Sequence, residues 1–422
     1  MTVLQSPDRR EADTLKSWTV LCFFVLAIAA AVLQDAPLVI WAMANNLPVQ
    51  AHKYIGFDAI IQFYPWKVFK YLFFGLAVAA CVPWTSIGRS GGQAFKKLHG
   101  ALLIVAVAPS IFTVISMQEI PLLAFGLKAW LPVLALLIGL KLDDKGLSVL
   151  ERVMNWLLLS TTIVAVLQIL DASYFQSILR HNSSSFGSGG QRATGTFAEP
   201  NTLGGFALAR LALMVVTRKL HITSIVLCLV VLVASGSRTT LVAMLVLLPW
   251  LNRCTPPVHK ADYRKIIISG LFLLILFYGI YLIYLRGFLS LWERLQLFSQ
   301  HLGNFSQTLF GSGFGVGTIS SQTMGHISIS SSIPIYITDS LYAGLLSQGG
   351  LWLLFGFLLW LVQLVKTTQP GEDARWGLFA MFTAYGTGTN AIEVWPFNVI
   401  TFMLLGYCLK PDHSSQCNAR LN

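Results

Sequence analysis

The sequence predicts an all-α polytopic membrane protein with about 12 transmembrane helices. The mean hydropathy is +0.67 and only 11% of the residues are charged, against about 25% in soluble domains. Apolar stretches recur along the chain, most of them close to the ~20 residues that a helix needs to cross the hydrocarbon core. No internal repeat or appended soluble domain is visible, so residues 1–422 are predicted to form a single integral membrane domain.

The predicted spans begin close to the N-terminus. The first apolar stretch follows several arginines and resembles a cleavable signal, but the many later stretches favour an uncleaved first helix. The stretches 222–235 and 239–251 are short, and they also fit a tilted or broken hairpin. In chain order the predicted spans are 17–34, 66–85, 99–117, 122–140, 152–170, 201–216, 222–235, 239–251, 266–285, 340–364, 376–390 and 396–410.

The basic residues indicate the orientation of these spans. With the N-terminus in the cytoplasm, 19 of the 29 Lys and Arg residues, Arg375 among them, fall in or beside cytoplasmic loops, as the positive-inside rule requires. An even number of spans then places both termini in the cytoplasm. Because the rule explains most of the net charge of +11, no nucleic-acid partner is predicted. The ten remaining basic residues are Lys53, Lys67, Lys70, Lys128, Arg180, Arg192, Arg210, Arg238, Arg286 and Arg294.

Three long segments map to the outer face. Residues 35–65 contain prolines and aromatic residues and are predicted to lie on the membrane surface as an amphipathic segment. Residues 171–200 form a polar Ser/Gly-rich loop that enters a helix. Residues 286–339 form the largest polar region of the chain. These segments are where we expect the chemistry to reside.

Nothing in the sequence predicts a metal, a disulfide or a cofactor. The six cysteines lack Cys-x-x-Cys spacing and fall within helices or on the cytoplasmic side. His326 has no His or Asp partner at ligand spacing. The glycine-rich run Gly311–Gly317 lacks the preceding strand and the following Lys-Ser/Thr of a phosphate-binding loop. It is predicted to be a flexible hinge.

Two basic residues, Lys128 and Arg210, lie within apolar spans. A charge at the bilayer centre costs about 2.5–3.5 kcal/mol on insertion scales, so each needs an anionic partner or a water-filled cavity. For Lys128 the alternative is snorkelling to the outer interface. For Arg210 the alternative is a misplaced helix boundary.

Four arginines map to the outer face: Arg192, Arg238, Arg286 and Arg294. Arg238 follows Ser235-Gly-Ser in a tight turn that opens a helix, which suits an anion site. A guanidinium presents a planar fork of donors that matches phosphate oxygens, so several converging arginines would suit a pyrophosphate. Ordinary interfacial arginines are the alternative.

Asp339 stands alone as an acidic residue between Glu293 and Glu372. It precedes a long apolar helix, where an aspartate can serve as the N-cap and interact favourably with the helix dipole. It can also act as a general base that accepts a proton from an attacking sugar hydroxyl. The two roles are compatible.

Three sequence motifs together resemble the O-antigen polymerase and ligase family of bacterial inner membranes. The first is Arg192-Ala-Thr-Gly-Thr-Phe-Ala-Glu-Pro-Asn201, and the second is Ser235-Gly-Ser-Arg238. The third combines Arg294, Leu309-Phe-Gly-Ser-Gly-Phe-Gly315 and Asp339-Ser-Leu-Tyr-Ala-Gly-Leu-Leu-Ser-Gln-Gly-Gly350. The resemblance covers roughly residues 185–365. It rests on the order and spacing of the motifs rather than on any one of them.

The resemblance implies a GT-C-like membrane glycosyltransferase without a metal or cofactor, acting on undecaprenyl-diphosphate-linked sugars at the periplasmic face. Arg192, Arg238 and Arg294 are then expected to bind the diphosphate, with Arg286, Arg210 and Lys128 lining the cavity. Ligases of this family carry a histidine where this chain has Asp339, and His326 lies thirteen residues too early to replace it. Related peptidoglycan polymerases use the aspartate of a Thr-Asp pair as base. This departure favours polymerisation over ligation.

The resulting hypothesis is a Wzy-type polysaccharide polymerase for O-antigen or exopolysaccharide, with Asp339 as base. Its partners would be the lipid-linked oligosaccharide and the bilayer, with a chain-length regulator as a further candidate. A ligase that moves the finished glycan to another acceptor is the nearest alternative. A flippase or exporter would need intramembrane charges along a path and internal repeats, whereas this chain shows few such charges and its polar residues crowd one face. A purely structural membrane subunit is the last alternative.

Overall fold

The computed structural model describes residues 7–37, 57–81, 92–116, 120–170, 192–197, 199–253, 270, 273–274, 276–281, 305–318, 340–366 and 372–410. All regular secondary structure within these residues is helical. Four helical stretches are long and apolar enough to cross a membrane, namely Ile120–Lys141, Asp144–Leu170, Pro200–Thr217 and Leu341–Val365. The all-helical class predicted from the hydropathy is therefore confirmed for the described part of the chain.

The helices follow the predicted spans closely in the middle of the chain. They are α1 Pro7–Leu33, α2 Phe57–Cys81, α3 Gly92–Ser116, α4 Ile120–Trp130, α5 Ala135–Lys141, α6 Asp144–Leu170, α7 Pro200–Thr217, α8 Ile222–Ser235, α9 Arg238–Arg253, α10 Phe305–Phe310, α11 Leu341–Val365, α12 Glu372–Gly386 and α13 Phe397–Tyr407.

Some boundaries differ from the prediction. The helix predicted at 66–85 begins nine residues earlier, at Phe57, within the segment assigned to the membrane surface. The single span predicted at 122–140 is interrupted by a 3₁₀ turn over Leu131–Leu134, where Pro132 has no N–H to continue the α-helix. Arg375, predicted in or beside a cytoplasmic loop, lies in the first turn of α12 and is fully buried.

Helix α7 forms the centre of the bundle. Its side chains from Leu203 to Val216 are all buried, and it contacts α6, α8, α9, α12 and α13. Gly204 and Gly205 allow this packing, because a Cβ at either position would overlap Thr240 or crowd the hydroxyl of Tyr385. The N-terminal end of α7 is thereby pressed against α9 and α12.

Small residues also permit close approach between α5 and α13. A Cβ on Gly139 would overlap the backbone of Met403 and Tyr407, and a Cβ on Gly406 would overlap the carbonyl of Leu136. Such contacts are typical of helices packed within membranes, where van der Waals packing replaces the hydrophobic effect.

The outer surface of the described helices is apolar. Phe112, Trp156 and Leu170 expose 73%, 73% and 74% of their surface, and many Leu, Ile and Val side chains are similarly exposed. Contiguous apolar exposure of this kind suits lipid rather than water. The structure therefore supports a membrane protein.

Helix α11 is broken at Gly349 and Gly350, where Gly350 has φ 62° and ψ −158°. The break frees two carbonyls of the preceding turn. Ser347 and Gln348 use these carbonyls to accept hydrogen bonds from the N–H groups of Ser312 and Gly313, at 2.7 and 3.1 Å. Backbone groups released inside an apolar bundle need such partners.

The glycine-rich run is thus a packed element, and its prediction as a flexible hinge was wrong. Its residues from Gly313 to Thr318 are buried. A Cβ on Gly311 would meet the backbone of Gln348 and Gly349, and a Cβ on Gly315 would overlap the carbonyl of Leu122. All four glycines of the run have positive φ. Their lack of a side chain serves close contact between backbones and not mobility.

Replacing Gly350 with Ala should destabilise the bundle by about 2–3 kcal/mol or more, because this backbone region is essentially restricted to glycine. A Cβ there would also overlap the carbonyl of Leu309. Thermal unfolding in detergent measures the effect. Gly75→Ala is the matched control, since no atom lies within 4 Å of a Cβ at Gly75. An unfolding temperature equal to that of the wild type for Gly350→Ala would contradict the packing described above.

Candidate functional site

Arg192 connects the first two sequence motifs directly. Its Nε donates to the carbonyl of Ser235 at 2.9 Å, and its Nη2 donates to Oδ1 of Asn201 at 2.8 Å. The N–H of the next residue, Ala193, donates to the carbonyl of Ala234 at 2.8 Å. The segment 192–197, which contains a turn, is therefore anchored on the C-terminal end of α8 and the N-terminal end of α7.

Gln168 holds this segment from the other side. Its Oε1 accepts from the N–H groups of Thr194 and Gly195, both at 2.9 Å. Its Nε2 donates to the carbonyl of Gly195 and the hydroxyl of Thr194, both at 3.2 Å. Gln168 is fully buried on α6 and was not predicted as a site residue. The available signal was a lone amide in an apolar span, which is expected to face the protein interior.

The turn between α8 and α9 carries Arg238, and the prediction that a helix starts at this arginine is confirmed. Gly236 ends α8 with φ 52°, and its N–H donates to the carbonyl of Val233. Thr240 donates to the hydroxyl of Ser237 at 2.8 Å. The predicted hairpin thus consists of two complete helices joined by a hydrogen-bonded turn.

The loop after α12 connects the start of α11 to the turn between α8 and α9. The hydroxyls of Thr389 and Thr239 lie 3.1 Å apart. The carbonyl of Thr389 accepts from the N–H of Leu341 at 3.2 Å, and Ser340 donates to the carbonyl of Gly386 at 3.2 Å. The first residue of α11 is therefore linked through Thr389 to the first turn of α9.

Tyr385 adds a further contact to the start of α7. Its hydroxyl donates to the carbonyl of Asn201 at 2.6 Å. The ring is buried and packs against Phe397 at a tilt of 56° and a centroid distance of 4.5 Å. We refer to the resulting set as the arginine junction: Arg192, Asn201, Ser235, Arg238, Thr239, Tyr385 and Thr389.

The arginine junction has the chemistry of an anion site. The N-terminal ends of α7, α9 and α11 meet there, and helix N-termini carry partial positive charge and N–H groups that the helix itself does not use. Arg192 and Arg238 add two full charges at half-buried positions. The two hydrogen bonds from Arg192 to Ser235 and Asn201 fix the plane of its guanidinium. A preorganised cationic group of this kind can stabilise charge that develops on a leaving phosphate.

Lys128 shares the ring of Tyr71 with a second lysine, Lys70, which was not predicted as a site residue. The ammonium of Lys128 is 5.7 Å from the ring centroid of Tyr71, and the ammonium of Lys70 is 4.9 Å from the same centroid. Lys70 also lies 5.5 Å from the ring of Trp395. Lys70 is buried and Lys128 is exposed. Trp395 belongs to the loop that carries Thr389, so this lysine pair neighbours the arginine junction.

Arg210 is placed elsewhere in the bundle. It is fully buried, and its Nη2 contacts Oε1 of Glu151 at 3.0 Å while its Nε donates to Oδ1 of Asn155 at 2.6 Å. The anionic partner that an intramembrane arginine requires is thus Glu151. Along α7, Arg210 is nine residues from Asn201, or about 13 Å at 1.5 Å per residue. This ion pair joins α6 to α7 and is separate from the arginine junction.

Three predicted site residues, Asp339, Arg286 and Arg294, lie outside the described residues. The structure does settle which residue caps α11: Ser340 occupies the N-cap position, with φ −126° and ψ 136°. The alternative in which Asp339 is the N-cap was therefore wrong. Its neighbour Ser340 remains hydrogen-bonded beside the arginine junction.

Among the residues described here, no group of three His, Cys, Asp or Glu side chains is arranged to hold a metal ion. Comparison of the chain with models of protein families, with curated proteins and with solved structures gives no match.

Proposed function

We propose that this chain is a polysaccharide polymerase of the bacterial inner membrane, with twelve spans, a GT-C-like fold and both termini in the cytoplasm. The glycan would leave its undecaprenyl diphosphate and join a sugar hydroxyl of a second lipid-linked repeat unit. In that step the hydroxyl oxygen bonds to the anomeric carbon, and the bond from that carbon to the phosphate oxygen breaks. The electron pair leaves with the diphosphate, and the hydroxyl proton passes to Asp339.

The observation that carries this proposal is the arginine junction. Residues 192–201, 235–239 and 340–341 are far apart in the chain, yet hydrogen bonds connect the first two directly and link the third to them through Thr389 at one end of the bundle. These are the segments whose pattern resembles the O-antigen polymerase and ligase family. Their meeting is expected if they form one site, and nothing in apolar packing alone requires it.

Each residue has a chemical role in the proposal. Arg192 and Arg238, joined by Arg294, hold the diphosphate that leaves and stabilise its developing charge. Arg286 contributes positive charge around the same diphosphate, and Lys128 contributes positive charge from a separate position beside Lys70. The proposal gives Arg210 no part in binding the diphosphate, because Glu151 and Asn155 engage its guanidinium inside the bundle.

The proposal is tested with purified protein in lipid nanodiscs and a lipid-linked repeat unit as sole substrate. The expected product is a ladder of longer lipid-linked chains on a gel. Glycan transferred only to an added lipid A core or protein acceptor would instead identify a ligase. Lipid-linked sugar moved across vesicles with no new glycosidic bond would identify a transporter.

Arg192→Lys should lower the rate of chain extension by about 10- to 100-fold, the equivalent of one lost charge-assisted hydrogen bond. Lysine keeps the charge but cannot reach Ser235 and Asn201 at once with a planar fork. The measurement is the initial rate of ladder formation. Arg253→Lys, at an exposed position at the opposite end of α9, is the matched control. Equal rates for the two variants would remove Arg192 from the proposed site.

A further inference from the structure

The lysine pair, Lys70 and Lys128, forms a second cationic site close to the arginine junction. The two ammonium groups lie over one ring, that of Tyr71, at 4.9 and 5.7 Å from its centroid. Tyr71 in turn packs edge-on against Trp395 at 5.3 Å. Two like charges that share one aromatic ring raise the positive potential around that ring.

A short rigid loop connects the two cationic sites. At one end of this loop Thr389 contacts Thr239 in the arginine junction, and at the other end Trp395 contacts Lys70. Between them the N–H of Glu393 donates to the carbonyl of Asn390 at 2.9 Å, and Nδ2 of Asn390 donates to Oε1 of Glu393 at 2.6 Å. The distance between the sites is thus fixed by backbone and side-chain hydrogen bonds.

The surface beside the lysine pair is apolar. Val68, Phe69 and Leu72 on α2 expose 49%, 39% and 50% of their surface, and Leu127 on α4 exposes 52%. Lys128 is itself exposed and Tyr71 is half-buried, whereas Lys70 is buried, so Lys128 is the charged group that can be reached from outside the bundle. Cationic groups next to an exposed apolar strip match a ligand with an anionic head and a hydrocarbon tail.

The proposed reaction has two such ligands. The donor loses its diphosphate lipid, whereas the acceptor keeps its own throughout the step. The arginine junction accounts for the diphosphate that leaves. We propose that Lys70 and Lys128 bind the diphosphate of the acceptor lipid, with its isoprenoid chain lying against the apolar strip on α2 and α4. This inference rests on the proposed function and adds the second substrate site to it.

Lysine suits the second site for a chemical reason. The acceptor diphosphate undergoes no bond change, so it needs to be held and released rather than stabilised in a transition state. A flexible, strongly hydrated ammonium provides attraction without the fixed geometry of a guanidinium. After each transfer the lengthened chain sits on the acceptor lipid. It must then move to the arginine junction to become the next donor.

The test is native mass spectrometry of the purified full-length protein with undecaprenyl diphosphate as the probe. The wild type should bind two molecules, and the Lys70→Gln/Lys128→Gln double variant should bind one. Lys145→Gln/Lys366→Gln carries the same change in charge at exposed positions and should still bind two. Lys128→Gln alone, at an exposed position, should weaken the second binding event by about tenfold or more.

Other binding results would overturn either this inference alone or the proposed function as well. Two molecules bound by the double variant, or one bound by the wild type and unaffected by the lysine changes, would overturn this inference while leaving the proposed function intact. Phosphatidylglycerol that displaces the second molecule with equal affinity would also overturn it, because the site would then be one for ordinary anionic phospholipids. No binding of undecaprenyl diphosphate at either site would overturn the proposed function as well.

Discussion

The Asp339→Asn variant should extend chains about 10²- to 10⁴-fold more slowly than the wild type, which is the usual contribution of a general base. An amide has nearly the size of the carboxylate but cannot accept the proton of the attacking hydroxyl. Ser340, and not Asp339, occupies the N-cap of α11, so the substitution should leave the start of the helix in place. The expected result is a folded protein that binds its substrates and makes almost no polymer.

Two measurements separate this role from a structural one. The rate of ladder formation from a lipid-linked repeat unit should fall, while binding of undecaprenyl diphosphate and thermal unfolding stay unchanged. Asp373→Asn, at an exposed position near the start of α12, is the matched control and should polymerise normally. Polymer made at the normal rate by Asp339→Asn would exclude Asp339 as the base.

The Arg210→Met variant should lose about 3–5 kcal/mol of stability, the usual effect of removing one partner of a buried ion pair. Glu151 is 4% exposed, so the substitution would leave its carboxylate buried with His221, at 3.2 Å, as the remaining basic contact. Replacing both partners, as Arg210→Met with Glu151→Leu, should recover most of the loss, since apolar residues of similar volume often replace buried ion pairs without cost. Thermal unfolding in detergent measures both variants.

Activity decides between the two roles considered for Arg210. If it serves only the ion pair, the double variant should polymerise at close to the wild-type rate once folded. Arg253→Met, at an exposed position, controls for the loss of a positive charge. A stable double variant without polymerase activity would show that Arg210 also takes part in substrate binding.

Much of the helical framework could be predicted from hydropathy, because a helix in lipid must satisfy its own backbone and so follows the local sequence. The limits predicted at 222–235 coincide with α8, and the turn at Ser235–Arg238 was expected from its glycine and serines. The glycine-rich run shows a feature that the neighbouring sequence alone could not predict. A glycine that relieves a close backbone contact and one that gives flexibility look the same in sequence, and the contact at Gln348 to Gly350 lies more than 30 residues away.

The candidate site was predictable only in part for the same reason. Arg192 and Arg238 stood out because the positive-inside rule did not explain them. Gln168, Tyr385 and Thr389 gave no comparable signal, since hydroxyls and amides are common in helices and their partners are distant in the chain. Lys70 was among the unexplained basic residues. Its importance depends on Lys128 sharing the ring of Tyr71, a contact between α2 and α4.

The sequence by itself determined that the chain is helical and apolar, where most of its helices run and which arginines need an explanation. These properties depend on residues within one helical turn or one hydrophobic stretch of each other. The tertiary structure alone decided that Arg192 meets Ser235 and Asn201, that Arg210 belongs to Glu151, and that the glycines pack rather than flex. Those outcomes depend on which helix ends meet, and that is set by close contacts at residues such as Gly204, Gly205 and Gly350 between distant parts of the chain.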